Sequence, residues 1–200
     1  MSEQPQLTGI SQTRLKLTCP DYSLWLVPTE PARTVISRLI AHLSSLETTS
    51  PVFLPHITLW SPVPITQPVD QITSTLESIV SRLKTEYPLS DLQLPLKQAT
   101  TGDQYFQSVL APVQPIDALL GLRRACEAEW GPATKDYFPH LSLFYGEATD
   151  ARRKEITKAA NEVEGEENGE MLESVTIGEI AVVDVRGMAD GWKVVGRVKL

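Results

Sequence analysis

Cysteine is nearly absent, with Cys19 and Cys126 the only two in 200 residues. So sparse and so widely separated a pair builds neither a disulfide framework nor a zinc site, and it reads as two isolated thiols. Positive charge is also short: 18 Lys and Arg stand against 25 Asp and Glu, for a net charge of −7 and a pI near 5.0. Broad binding of polynucleotide draws on Lys/Arg arrays that release counterions, so the composition argues against it. A small anionic ligand in a locally positive pocket stays open. No apolar run approaches the roughly 18–20 residues that cross a bilayer, so no membrane span is expected. The opening MSEQPQLTGISQTRLKLTCP has no continuous apolar stretch of the secretory kind. Cytoplasmic placement is the default expectation, and peripheral association with an organelle such as the Golgi would leave no mark on such a composition.

The hydrophobic content, 42%, is that of a globular chain able to fill one domain or two closely packed lobes. Residues 1–20 read as a polar lead-in with a weak strand in RLKLT. YSLWLV (22–27) reads as a strand. From Thr29 onward Val35, Ile36, Leu39, Ile40, Leu43 and Leu46 recur at helical spacing, and Pro31 suits a first turn. A strand over 52–60 follows, then a helix over 69–84. LQLPLKQ and QYFQSVLAP read as strands, and in the latter Tyr105 and Phe106 fall on opposite faces. A helix over 116–130, a strand over 137–145 and a polar helix from Thr149 come next. Residues 162–170 read as a flexible acidic loop. Two strands close the chain, SVTIGEIAVVDV and WKVVGRVKL, joined by RGMADG. In the last strand Trp192, Val194, Val198 and Leu200 share one face at period two.

Histidine is the third scarce residue, and its placement is informative. Two of the three histidines fall in matching stretches, FLPHITLW (53–60) and YFPHLSLF (137–144). At average composition a histidine is followed by apolar-[Ser/Thr]-Leu in very roughly one case in a few hundred, so two such matches mark a repeat. The third, His42, keeps helical spacing with Val35, Leu39 and Leu46 and reads as structural. The surroundings repeat as well: strand, helix, His-strand, helix in the first half, and helix, His-strand, helix, strands in the second. The expected fold is α+β, a single bilobal domain over 1–200. Each lobe is an antiparallel sheet with helices outside, and the two His-strands face a shared central groove.

Alternation along a strand puts His56 and Thr58 on one face and Ile57 and Leu59 on the other; His140 and Ser142 oppose Leu141 and Leu143 in the same way. Two such strands offer two imidazoles and two hydroxyls to one pocket. One neutral imidazole takes a proton from water, the other, protonated, gives one to a leaving oxygen, and the hydroxyls donate to phosphate oxygens where charge accumulates. That chemistry needs no metal and no cofactor. It suits hydrolysis of a strained phosphodiester with a ribose alkoxide as leaving group.

These two H-Φ-[ST]-Φ strands resemble those of the two-histidine (2H) phosphoesterase superfamily. The length, the element order and PHLSLFYG are most similar to its fungal and plant 2′,3′-cyclic-nucleotide 3′-phosphodiesterases. The resemblance is specific at the two motifs and loose over the rest of 22–200. It implies His56 and His140 as catalytic residues and Thr58 and Ser142 as phosphate-binding donors. It further implies Trp25 and Tyr145 as aromatic walls, His140 as base and His56 as acid. Strict alternation would bring Phe144 rather than Tyr145 to the histidine face, unless the strand bulges or ends there. The implied substrates are small nucleotides bearing 2′,3′-cyclic phosphates and ADP-ribose 1″,2″-cyclic phosphate, a by-product of tRNA splicing. The plant relatives carry extra paired cysteines; two cysteines in all point to the fungal branch. The expectation is a monomer. The competing readings are an RNA-end-processing 2H enzyme, 2′–5′ RNA ligase-like or exonucleolytic, and a non-catalytic nucleotide-binding module.

Overall fold

The computed structural model of the chain describes residues 21–47, 50–132, 136–162 and 173–200. The lead-in over 1–20, with its weak strand, and the acidic loop beyond Glu162 lie outside the described residues. The elements run in the order β1 (Tyr22–Pro28), α1 (Ala32–Ser45), β2 (Ile57–Val63), α2 (Val69–Leu83), β3 (Leu92–Pro95), β4 (Thr100–Thr101), β5 (Val109–Pro112), α3 (Asp117–Trp130), β6 (His140–Phe144), α4 (Asp150–Glu162), β7 (Ser174–Asp184) and β8 (Lys193–Lys199). Among the described residues no helix is long and apolar enough to cross a membrane.

The fold is α+β, and every strand pairing is antiparallel. The strand order is β3-β7-β1-β2-β6-β5-β4. The long β7 takes β3 along its first residues and β8 along its last. Helices cover one face. Helices α2 and α3 pack together over β8, β7 and β2, while α1 and α4 pack together over β6, β5 and β4. The helices are therefore exchanged between the halves of the sheet relative to the sequence repeat: α1 of the first half lies over β6, and α3 of the second half lies over β2. One bridge pair, Ile57 with Leu141, joins the two halves of this single sheet at β2 and β6.

The helix-facing residues of the sheet follow from alternation. Leu24, Leu26, Ile57, Leu59, Leu141, Leu143, Ile180 and Val182 are buried in one core with Ile40 and Leu43 of α1, Ile72 and Leu76 of α2, Leu119 and Leu122 of α3 and Ile156 of α4. Each fully buried Leu or Ile contributes about 1.5–3 kcal/mol of transfer free energy. A second, smaller cluster on the opposite face holds Trp25, Val27, Ala181, Val183 and Val185.

Four local expectations give way to tertiary structure. Helix α1 buries Ile36, Ile40 and Leu43, but Val35 is 48% exposed and His42 is also exposed, so the apolar stripe is narrower than its spacing suggests. The two histidine strands are shorter than read, with β2 beginning after His56 and β6 at His140, because a proline precedes each histidine and has no N–H for a ladder. QYFQSVLAP is not one strand: Tyr105–Gln107 forms a 3₁₀ turn, and only 109–112 pairs. Trp192 and Val194 do not share a face with Val198. The register runs Val182 to Gly196 and then Val183 to Val194, so an extra residue bulges out. Trp192 and Val194 thus pack on the Trp25 cluster, while Val198 joins the main core.

Candidate active site

The bridge between Ile57 and Leu141 brings the two repeated motifs side by side at the centre of the sheet. Continued one residue either way, an antiparallel register sets His56 across from Ser142 and Thr58 across from His140. All four then share the face away from the helices. The neighbouring strands keep the same face: Trp25 pairs with Thr58, and Leu110 with Ser142.

The repeat extends to the bonds that orient the rings. Nδ1–H of His56 donates to the carbonyl of Leu54 at 2.7 Å, and Nδ1–H of His140 donates to the carbonyl of Phe138 at 2.8 Å. Each acceptor lies two residues back, across a proline. A carbonyl accepts only, so it fixes the neutral tautomer with the proton on Nδ1 and leaves Nε2 with its lone pair unprotonated. Burial differs between the two. His56 is 3% exposed, and its pKa is lowered from 6.5 to about 4, chiefly by burial, with the Leu54 bond opposing and the charge of His140 adding to the shift. His140 is half-buried, and burial lowers it too, opposed by the Phe138 bond.

An aromatic cluster surrounds His56. The Trp25 indole lies flat on the imidazole, centroids 3.5 Å apart and planes 8° from parallel, and its Nε1–H donates to Ser23 Oγ at 2.9 Å. The Tyr145 hydroxyl points at His56 Nε2 from 3.5 Å and donates toward it. Ser142 Oγ donates to the Phe106 carbonyl at 3.2 Å. Tyr145 reaches the histidine face because the register steps from Leu110–Ser142 to Val109–Phe144, inserting one residue into β6. Gly146 follows; a Cβ there would come within 2.8 Å of the Phe144 ring.

The two aromatics that the resemblance implies as walls, Trp25 and Tyr145, are both buried against other rings. Trp25 and Tyr145 are each 3% exposed, with one face taken by His56 and by Phe53 (centroids 3.8 Å apart), respectively. Sequence reasoning passed over Phe53, Phe138 and Trp192 here. Phe138 is 51% exposed, its ring centroid 5.5 Å from that of His140. The half-buried Trp192 packs edge-on against Trp25 and near Phe106 and Tyr145. Tyr105 and Phe106 both pack toward Tyr145, since the 3₁₀ turn abolishes the alternation expected of them. The position of Phe138, between an aromatic and Pro139 in the repeat, was the available signal for it. Trp192 had none, because its face depends on the bulge.

His42 serves as an internal comparison. His42-Leu43-Ser44 also spells histidine, apolar, hydroxyl, but on α1 positions i and i+2 do not face each other. His42 is exposed, and Ser44 is buried with Oγ donating to the Pro51 carbonyl. Among the described residues no three His, Cys, Asp or Glu side chains cluster so as to hold a metal, and Cys126 is buried, its thiol pushed up to about 12 by burial.

Two proline-backed histidines on adjacent antiparallel strands, each beside a hydroxyl on the same face, define a two-histidine phosphoesterase. The chain belongs to the cyclic phosphodiesterase-like protein family, whose profile matches residues 21–200, and it is accordingly a phosphoric diester hydrolase acting on cyclic phosphates. It is similar to the cyclic phosphodiesterase of Arabidopsis thaliana, with 29% identity over 140 residues, 70% of this chain and 72% of that protein. Among solved structures it is similar to Escherichia coli LigT in complex with 3′-AMP (TM-score 0.48, 13% identity, 92% of this chain and 98% of that one). It is also similar to Kluyveromyces marxianus Usb1 (TM-score 0.40, 9% identity, 90% and 97%).

Proposed function

We propose that the protein hydrolyses the 2′,3′-cyclic phosphates of small nucleotides to 2′-phosphates without a metal, and opens ADP-ribose 1″,2″-cyclic phosphate to the 1″-phosphate. The reading rests on one observation above all: both imidazoles carry the same Nδ1–H bond to a carbonyl, so both present Nε2 as the reacting nitrogen. In the reaction one Nε2 removes a proton from water as it attacks phosphorus; the bond from phosphorus to the 3′ oxygen breaks, and the other Nε2–H protonates that oxygen. Thr58 and Ser142 donate to the non-bridging oxygens as charge builds on them. Trp25 acts through His56 by fixing the plane of its ring. The half-open Phe138, Phe106 and Trp192 are the surfaces available to a base.

The order of burial supports an assignment of the proton. A pair sharing one proton holds it on the less buried His140, while His56 stays neutral at pH 7 because its pKa lies near 4. On this reading His56 is the base and His140 the acid, the reverse of the roles implied by the resemblance. The acting species is a monomer.

The test compares kcat/KM for a nucleoside 2′,3′-cyclic phosphate, ADP-ribose 1″,2″-cyclic phosphate and short RNAs ending in a cyclic phosphate, with and without EDTA. Hydrolysis of the small substrates is expected to survive chelation, and kcat/KM is expected not to rise as the RNA lengthens. Activity lost to EDTA and restored by Zn²⁺ or Mn²⁺ would make the histidines metal ligands. A steep gain with RNA length would favour the RNA-end-processing reading.

A further inference from the structure

The two halves of the sheet meet through a single bridge pair, Ile57 with Leu141, yet the proposed reaction needs His140 held against Thr58, just beyond it. Backbone pairing does not fix that distance, and the carbonyls of β2 past the bridge are taken up by side chains. The Tyr137 hydroxyl donates to the Thr58 carbonyl at 3.2 Å. The Arg123 guanidinium, from α3, donates through Nη1 to the Leu59 carbonyl at 2.7 Å. Leu59 is the residue left unmatched where the pairing of β1 steps from Trp60 to Thr58. Arg123 also stacks between two rings, 4.1 Å from the centroid of Trp60 and 4.6 Å from that of Tyr137.

The aromatic residues before and after the motifs repeat this crossing. Phe53, ahead of the first motif, stacks on Tyr145, behind the second. Tyr137, ahead of the second, meets Trp60 at the end of the first, with Arg123 between them. Tyr137 immediately precedes Phe138, whose carbonyl holds His140 Nδ1. A bond from Tyr137 to Thr58 therefore ties the support of one histidine to the backbone of the other motif. Phe53 has no hydroxyl with which to do the same on its side.

We propose that Tyr137 and Arg123 are positioning residues that clamp the two motifs across the seam and set His140 against the phosphate site at Thr58. The inference rests on the two-imidazole reading. Tyr137→Phe deletes only the hydroxyl and keeps the ring that Arg123 covers; Arg123→Lys keeps the charge and loses the flat stack. A displacement of about 1 Å at reacting groups costs up to ~10²-fold, so partial release in either variant is expected to lower kcat by about 10-fold. KM should stay within about twofold, because the hydroxyls and aromatics that bind substrate are untouched.

The experiment measures kcat and KM on a nucleoside 2′,3′-cyclic phosphate for Tyr137→Phe, Arg123→Lys, His140→Ala and Tyr137→Phe in the His140→Ala background. It also records the Cε1–H resonance of each histidine by NMR. The His140 resonance is expected to move in both clamp variants while that of His42 stays, and Tyr137→Phe should cost less than about twofold once His140 is gone, since coupled residues are not additive. Full kcat in Tyr137→Phe, or an equal loss with and without His140, would overturn the clamp. If His140→Ala alone keeps wild-type activity, the two-imidazole reading fails instead. In that case an unmoved His140 resonance in both clamp variants would separately overturn the clamp.

Discussion

At the scale of single residues, the carbonyl two positions before each histidine decides what the imidazole can do. It holds Nδ1–H and leaves the lone pair on Nε2, in the same way at Leu54 and at Phe138. What separates the two rings is their cover: Trp25 lies on His56 and Tyr145 closes over its Nε2, whereas His140 has the exposed Phe138 beside it. His56→Ala and His140→Ala are each expected to lower kcat/KM by at least ~10²-fold, the usual size of a general acid or base contribution. A substrate with a thiolate leaving group at the scissile position needs little protonation, so it distinguishes the roles. It should restore activity to His140→Ala and not to His56→Ala; restoration of His56→Ala alone would give the roles back to the assignment implied by the resemblance.

Among the elements, bulges do the sorting. One extra residue in β6 brings Tyr145 onto the histidine face, and one in β8 brings Trp192 and Val194 there while Gly196 and Val198 stay toward the helices. The helix-facing half of β8 is tightly fitted. A Cβ on Gly196 would lie 2.7 Å from the Thr73 methyl and 3.1 Å from Val69 on α2. Gly196→Ala must therefore displace the Thr73 side chain, which its bonds to the Val69 and Asp70 carbonyls hold in place, or shift α2, and overpacking of this kind costs about 1–3 kcal/mol. Urea unfolding should show a lowered midpoint, with kcat/KM of the folded protein close to wild type because α2 covers the face away from the site. An unchanged midpoint would mean that the Thr73 side chain or α2 gives way freely.

For the molecule as a whole, a buried neutral imidazole ties stability to pH. Burial favours the neutral form of His56, so its pKa falls from 6.5 toward about 4, and between these values the unfolded chain binds more protons than the native one. Stability therefore rises with pH: the contribution is complete above about 6.5 and is lost as pH falls toward 4. A shift of that size corresponds to roughly 3 kcal/mol. His140 is shifted in the same direction and adds to the slope. Unfolding free energies at pH 7 and pH 4.5 should differ clearly in the wild type and much less in His56→Gln. Equal differences in the two proteins would place the acid sensitivity elsewhere.

The sequence alone determined the two motifs, their hydroxyl partners and the α+β class. Each rests on a local period: two for His56/Thr58 and His140/Ser142, and 3.6 for helices such as α2, whose Ile72, Leu76, Ile79 and Leu83 are buried as spaced. The same three-letter pattern at His42 is empty because it lies on a helix, so the letters carried meaning only together with their secondary structure. Tertiary structure decided what no local period encodes. A bulge is one residue without a signature of its own, and two of them set the faces of Tyr145 and Trp192. The exchange of α1 and α3 between the halves of the sheet depends on which apolar stripes fit together. The burial that separates His56 from His140 comes from residues as distant in the chain as Trp25 and Tyr145, and a pKa is set by everything that surrounds the ring.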